Sequence, residues 1–147
     1  MAVDAELAGR EYPSYTYEVS REKIREYATA LGETDPRYFS DGDDCVAPPT
    51  FAAAFTITKG GAPLFGDEEL GLHWNLVHGS QRYEWGRHVR PGDVLTCTPR
   101  FGGVTPRGGN EFVSMEVECL HADGDLAVRS IATIVLFGSA PQPQEAS

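Results

Sequence analysis

Apolar residues between Ser20 and Leu31 fall at Ile24, Tyr27, Ala28 and Leu31, the i, i+3, i+4, i+7 spacing of one helix face. Ser20 is a good N-cap, Glu22 sits in the electropositive first turn, and Gly32 follows the last apolar position as a left-handed stop. The aromatic and β-branched run from Tyr15 to Val19 predicts a strand leading into this helix. A second, largely buried helix is predicted after Pro48 and Pro49. There Phe51, Ala54, Phe55 and Thr58 share a face, Ala52 and Ala53 permit close approach, and Gly60 with Gly61 end the element after about three turns. Between the two, Glu33 to Asp44 is polar and turn-rich and reads as a loop, with Asp35-Pro36 setting its start.

From Trp74 onward the period changes to that of strands, predicted over Trp74 to Trp85, Asp93 to Phe101, Glu111 to Leu120 and Leu126 to Phe137. Their connections, RPGD, GGVTPRGG and ADGD, are short and carry the residues that antiparallel hairpins need. Two helices followed by four long strands define an α+β class in which a helix must cover the apolar face of the sheet. One domain over residues 1–147 is expected, with residues 138–147 as a disordered tail.

Composition supports a packed core: 41% of residues are hydrophobic and 23% charged, and a chain of this length buries roughly two-thirds of its unfolded surface. No apolar run approaches the roughly 18 residues of a membrane span, and the N-terminus has no secretory-leader pattern, so a cytoplasmic protein is expected. Cys45, Cys97 and Cys119 lack CxxC spacing, which argues for reduced thiols and against a disulfide framework or a zinc site. The net charge of −10 repels phosphate backbones and disfavours nucleic-acid binding. A local cationic strip of Arg82, Arg87, His88 and Arg90 can still receive ligand phosphates, or equally form a solvated strand edge.

Glu33, Asp35, Asp41, Asp43 and Asp44 cluster in the inter-helix loop without the spacing of a calcium-binding loop, so no metal is expected. The chain has no G-x-S-x-G, no Walker A and no G-x-G-x-x-G motif, so no nucleotide or dinucleotide cofactor is expected.

The ordered segments SREKIREYATALGETDPRYF, APPTFAAAF, LVHGSQRYEW and RPGDVL resemble the N-terminal, FAS1-like dehydratase domain of the MaoC group. The similarity runs from about Gly9 to Phe137 and is greatest to small actinobacterial subunits of R-specific 3-hydroxyacyl carrier-protein dehydratases. The resemblance implies a hot-dog fold, an antiparallel sheet wrapped around a central helix. It also implies an acyl-CoA or acyl-carrier-protein thioester as ligand.

Catalytic members of that group carry a loop of the form G-D-x-N-P-x-H, whose Asp and His activate water or take the α-proton. The matching stretch here is Gly32-Glu33-Thr34-Asp35-Pro36-Arg37-Tyr38, with Glu33 in place of the Asp and Tyr38 in place of the His. A Tyr of ordinary pKa near 10 cannot do the work of a His at neutral pH. Family members with such a loop hold the acyl chain and pair with a separate catalytic subunit. The chain is therefore expected to form a heterodimer with a catalytic MaoC-like subunit, or a homodimer.

His78 begins the first long strand and is the leading single candidate for chemistry, a surface or interface histidine being the plain alternative. Strict alternation puts it on one face with Leu76, Ser80, Arg82 and Glu84, and puts Gly79, Gln81, Tyr83 and Trp85 on the other. Candidate catalytic residues are thus His78, Glu33, Asp35 and Tyr38. Candidate substrate-binding residues are Asn75, Gly79 and Gln81 near the strand start, with Phe51 and Phe55, beside Ile57, as lining of an acyl tunnel or simply as core.

Three functions compete. The first is a degenerate dehydratase subunit, a hydro-lyase only with its partner. The second is an autonomous enzyme using His78 with Glu33 or Asp35 for hydrolysis or for addition of water or an amine to an enoyl thioester. The third is a noncatalytic acyl-thioester binding module.

Overall fold

The computed structural model describes residues 2–138. Strand β1 (Tyr15–Glu18) leads into helix α1 (Arg21–Ala30), and helix α2 (Ala53–Phe65) precedes strands β2 (Leu76–Trp85), β3 (Val94–Arg107), β4 (Asn110–Leu120) and β5 (Leu126–Leu136). The strands form one antiparallel sheet in the order β1-β3-β4-β5-β2. Two helices against such a sheet make the hot-dog fold of α+β class.

Helix α1 has the predicted caps. The Ser20 hydroxyl accepts from the Lys23 amide at 3.0 Å, and Gly32 takes φ 71°. The Glu33 and Gly32 amides donate to the Ala28 and Thr29 carbonyls, which closes the helix in a Schellman arrangement. Ile24 and Ala28 are fully buried on the face that the spacing predicts.

Helix α2 departs from expectation at both ends. Phe51 lies in a turn before the helix, and Gly60 with Gly61 do not stop it; it runs on to Phe65 with Pro63 near its end. The two glycines are buried against β4, where a Cβ on Gly60 would overlap Val117 Cγ2 and one on Gly61 would lie 3.1 Å from Met115 Cε. The pair is a point of close helix-to-sheet approach. The Tyr15 hydroxyl donates to the Phe55 carbonyl at 2.5 Å, and the Tyr17 ring stacks on Phe55 with centroids 4.6 Å apart, so β1 also holds α2 in place.

The segment GGVTPR, expected as a connection, is the second half of β3. A bulge at Gly102 interrupts the register, and the turn to β4 is made by Gly108 and Gly109, both with positive φ. Pro106 fits there because β1 pairs only with Val94 to Cys97 and residues 9–12 bond β3 only as far as Phe101, so among the described residues β3 has no partner strand on that side at Pro106.

Two apolar clusters fill the concave face. One gathers Phe51, Phe55, Ile24 and Leu95, and the other Leu64, Leu70, Phe101 and Leu136. The opposite face is ionic: Arg100 pairs with Glu116, and Arg129 pairs with Glu84 at 3.1 Å and Glu118 at 2.8 Å. Cys97 and Cys119 sit opposite each other on β3 and β4, buried and unbonded.

The N-terminal segment is tied down more firmly than its sequence suggests. Arg10 bridges Asp67 and Glu69, each at 2.8 Å, and the Tyr12 hydroxyl donates to Asp67 at 2.7 Å. Residues 139–147, most of the expected tail, lie outside the described residues. Gly138, counted with that tail, donates its amide to Asn110 Oδ1 at 3.2 Å.

Candidate functional site

Two cavities bear on the sequence candidates, one at each end of β2. The larger, about 320 Å³, lies between α2 and the concave face of β2, β4 and β5. From α2 it is lined by Thr56, Ile57, Gly61, Ala62 and Phe65; from the sheet, by Leu76, Met115, Val117, Ala132 and Ile134. Its lining is mostly apolar, with His78, Gln81 and Ser130 as the polar groups on the strands. Trp74, 78% exposed, stacks on Phe65 at a centroid distance of 4.2 Å and with Ile57 marks the mouth; Thr56 and Ser130 are buried and mark the floor.

His78 and Gln81 share this cavity because β2 is not regular. The register with β5 slips between His78, opposite Ile134, and Ser80, opposite Thr133, leaving Gly79 as the bulged residue. The bulge shifts the alternation by one, so Leu76, His78, Gln81, Tyr83 and Trp85 lie opposite the inward row Leu136, Ile134, Ala132, Ser130 and Val128. Strict alternation had grouped His78 with Ser80, Arg82 and Glu84 instead. Gly79 itself is packed on β5, where a Cβ would lie 2.9 Å from Val135 Cγ2 and 3.2 Å from the Thr133 carbonyl.

Gln81 Nε2 donates to Ser130 Oγ at 2.8 Å and to the Arg82 carbonyl at 3.3 Å. A carbonyl only accepts, so this contact fixes which way the amide points. Among the described residues Gln81 Oε1 is then buried without a hydrogen-bond partner. Ser130, on the floor of the cavity, was not singled out by sequence. Its signal is a lone hydroxyl at an inward position of an otherwise apolar strand face.

The second cavity, about 240 Å³, is lined by Arg37, Tyr38, Ala47, Pro49, Trp85 and His88, among others. Tyr38 belongs to a 3-10 turn, Pro36–Phe39, whose N-cap is Asp35. The Asp35 carboxylate accepts from the Arg37 amide at 3.0 Å and pairs with its guanidinium at 2.7 Å, and Arg37 holds it below the usual carboxylate range. Glu33 is exposed just after α1.

The loop residues and His78 therefore stand at different sites within one chain. Trp85 and His78 are separated by roughly 20 Å along β2 at the usual strand rise. The Tyr38 amide donates to the Asp35 carbonyl at 3.1 Å within the turn, and among the described residues no side-chain hydrogen bond joins any two of Glu33, Asp35, Tyr38 and His78. Asn75 is exposed, and its carbonyl accepts from the Phe137 amide at 2.9 Å. Phe51 and Phe55 are fully buried in the core and line neither cavity, whereas Ile57 lines the larger one.

The cationic strip is largely spoken for. Arg82 pairs with Glu84, Arg87 with Asp123 at 2.7 Å, and Arg90 donates to the Asp43 carbonyl at 3.0 Å. Among the described residues no group of three or more His, Cys, Asp or Glu side chains is placed to hold a metal ion.

Residues 6–130 match the family model of the FAS1-like dehydratase domain region. The chain belongs to this family. Within it, the chain is 38% identical over 145 residues to a UPF0336 protein of Streptomyces griseus, an alignment covering 92% of this chain and 95% of that one. Its fold matches a chain of the HadBC (3R-hydroxyacyl-ACP dehydratase) complex of Mycobacterium tuberculosis with a TM-score of 0.75 and 27% identity, over 88% of this chain and 96% of that chain. It also matches a solved MaoC-like dehydratase with a TM-score of 0.79, covering 90% of this chain and 43% of that longer one; at 20% identity this speaks for the fold alone. The FAS1-like dehydratase chain described here is thus a MaoC-like hot-dog protein.

Proposed function

We propose that this chain is the acyl-holding subunit of an R-specific 3-hydroxyacyl-thioester dehydratase, and that a partner hot-dog chain supplies the catalytic Asp and His. The observation that carries this reading is the separation of two features that a self-sufficient enzyme needs together. An apolar cavity of about 320 Å³ is present, while the family's base position is occupied by Tyr38.

No residue of the loop is suited to proton abstraction from a thioester. Tyr38 replaces the imidazole with a phenol, and Asp35 is stabilised as the carboxylate by Arg37, which makes it a weaker base than an ordinary Asp. The cavity offers what a holding subunit needs. It is mostly apolar and about 320 Å³ in volume. The ligand is an acyl-CoA or an acyl-carrier-protein thioester, with its thioester end near the mouth.

A partner is supported by the sheet edge. Among the described residues strand β2 pairs on one side only, with β5, and Trp74 just before it and Val77 within it are 78% and 47% exposed. An unpaired edge with apolar neighbours favours strand addition, here by a second hot-dog chain that extends the sheet. The solved HadBC relative is itself a complex. Among the described residues no helix is long and apolar enough to cross a membrane.

A second reading rests on His78, which lines the cavity near its mouth and is solvent-exposed. An autonomous enzyme would use that imidazole as its acid or base. The test that separates the two is interconversion of enoyl and 3-hydroxyacyl thioesters by the purified chain, alone and mixed with a hot-dog chain carrying an intact Asp/His loop. The holding role requires activity only in the mixture; turnover by the chain alone establishes the autonomous enzyme instead.

A further inference from the structure

The inward row of β5 reads Leu136, Ile134, Ala132, Ser130 and Val128. Its outer members Leu136, Ile134 and Val128 are buried core, whereas the two in the middle are small and line the larger cavity. Ala132 stands between Gln81 on β2 and Met115 on β4, which line the same cavity. The apolar core is divided at this level. Val117 belongs to one cluster, Met115 and Ile134 belong to the other, and all three border the cavity. A domain of this size usually closes one contiguous core. A β-branched residue at position 132, the ordinary choice for an inward strand position, would fill the gap and join the clusters.

We propose that Ala132 is a specificity-determining residue of the acyl cavity: the space its short side chain leaves empty is taken by the far part of the acyl chain, so this position sets the length of chain the protein accepts. This rests on the acyl-holding reading and deepens it. From the mouth inward, Ile134 lies opposite His78, Ala132 opposite Gln81, and Ser130 opposite Tyr83. Successive inward positions are about 7 Å apart along the strand. A ligand passes Ala132 before it reaches the floor at Ser130, and a side chain grown from Ala132 closes off that last step.

The neighbouring small residues of α2 are small for a different reason. A Cβ on Gly60 would overlap Val117, and one on Gly61 would lie 3.1 Å from Met115 Cε, so growth there disturbs the contact between helix and sheet. Ala132 borders open space, where a larger side chain gains burial. Its two effects then have opposite signs: the ligand-free protein becomes more stable while long chains bind less well. Damage to the fold would lower both together.

The test is equilibrium binding of saturated straight-chain N-acetylcysteamine thioesters of increasing length to the full chain and to its Ala132→Val and Ala132→Ile variants, with thermal unfolding of each protein without ligand. Wild-type affinity should rise about fourfold with each methylene until the chain fills the cavity, and then level off. Levelling should come at a shorter chain in Ala132→Val and at a shorter one still in Ala132→Ile, with unfolding midpoints unchanged or raised. Thr133→Val, at the adjacent outward position, should leave the length profile as it is in the wild type. Levelling at the same length in wild type and both position-132 variants, or weaker binding at every length with a lowered midpoint, overturns the role of Ala132 while leaving the acyl-holding role intact. Failure of the wild-type chain to bind any member of the series overturns both.

Discussion

The inter-helix loop and the cavity under α2 are built on opposite plans. In the loop, polar groups are satisfied by near neighbours in sequence: Asp35 caps its own turn and pairs with Arg37 two residues on, and Glu33 faces water. In the cavity, the walls come from α2, β2, β4 and β5, and a buried acceptor is left open. Local satisfaction makes a stable turn with nothing free to take a proton. Long-range assembly makes a mostly apolar cavity. On the proposed acyl-holding role, the chain uses that cavity to hold an acyl chain while its inter-helix loop serves structure.

The largest effect expected is from Gly60→Leu, which breaks the cavity side of this contrast. A side chain there must displace Val117, so stability should fall by about 3 kcal/mol or more, as for severe overpacking, with acyl binding lost. Urea unfolding monitored by tryptophan fluorescence measures it, and an unchanged midpoint would show that α2 does not approach β4 as described. Ala62→Phe should narrow the cavity from an exposed position on α2, weakening acyl-thioester binding at least tenfold while changing stability by less than about 1 kcal/mol. His78→Ala should weaken binding by about 1 kcal/mol, the scale of one hydrogen bond, and leave folding intact. No change in binding would remove His78 from the site.

The N-terminal tie gives a pH-dependent effect outside both regions. The Tyr12 hydroxyl and Arg10 hold Asp67 below the usual carboxylate range. A carboxylate with a depressed folded pKa contributes stability that is fully present above its unfolded value of about 3.9 and is lost as pH falls through the folded one. Urea midpoints should therefore drop more steeply below about pH 4 in the wild-type chain than in Asp67→Asn. Parallel acid limbs would show that this carboxylate is not held in the folded state. The smallest effect expected is from Glu33→Ala, within about 0.5 kcal/mol in stability and without change in binding, because Glu33 is exposed.

Helix α1 and the four long strands were legible because their signals are local. Caps, helical spacing and turn residues act over a few positions, and Ser20, Gly32 and the Gly108-Gly109 turn behave as local chemistry requires. What escaped was glycine used for tertiary reasons. Gly60 and Gly61 read as a helix stop when their role is to meet Val117 and Met115, residues far along the chain. Gly79 is also a bulge, and strict alternation, which does not foresee it, put His78 and Gln81 on opposite faces. At the candidate site, Glu33 and Tyr38 in the inter-helix loop and His78 near the start of β2 were legible in the sequence. The Gln81–Ser130 floor was not, because it depends on which strand lies beside β2 and in what register.

The proposed acyl-holding role requires that this chain bind an acyl thioester without transforming it. The most direct measurement is a single sample of purified chain titrated with an enoyl thioester, with bound ligand and hydrated product followed together. Saturable binding with no product above the uncatalysed rate is the expected result. Hydration by the chain alone at a rate that saturates with ligand would contradict it.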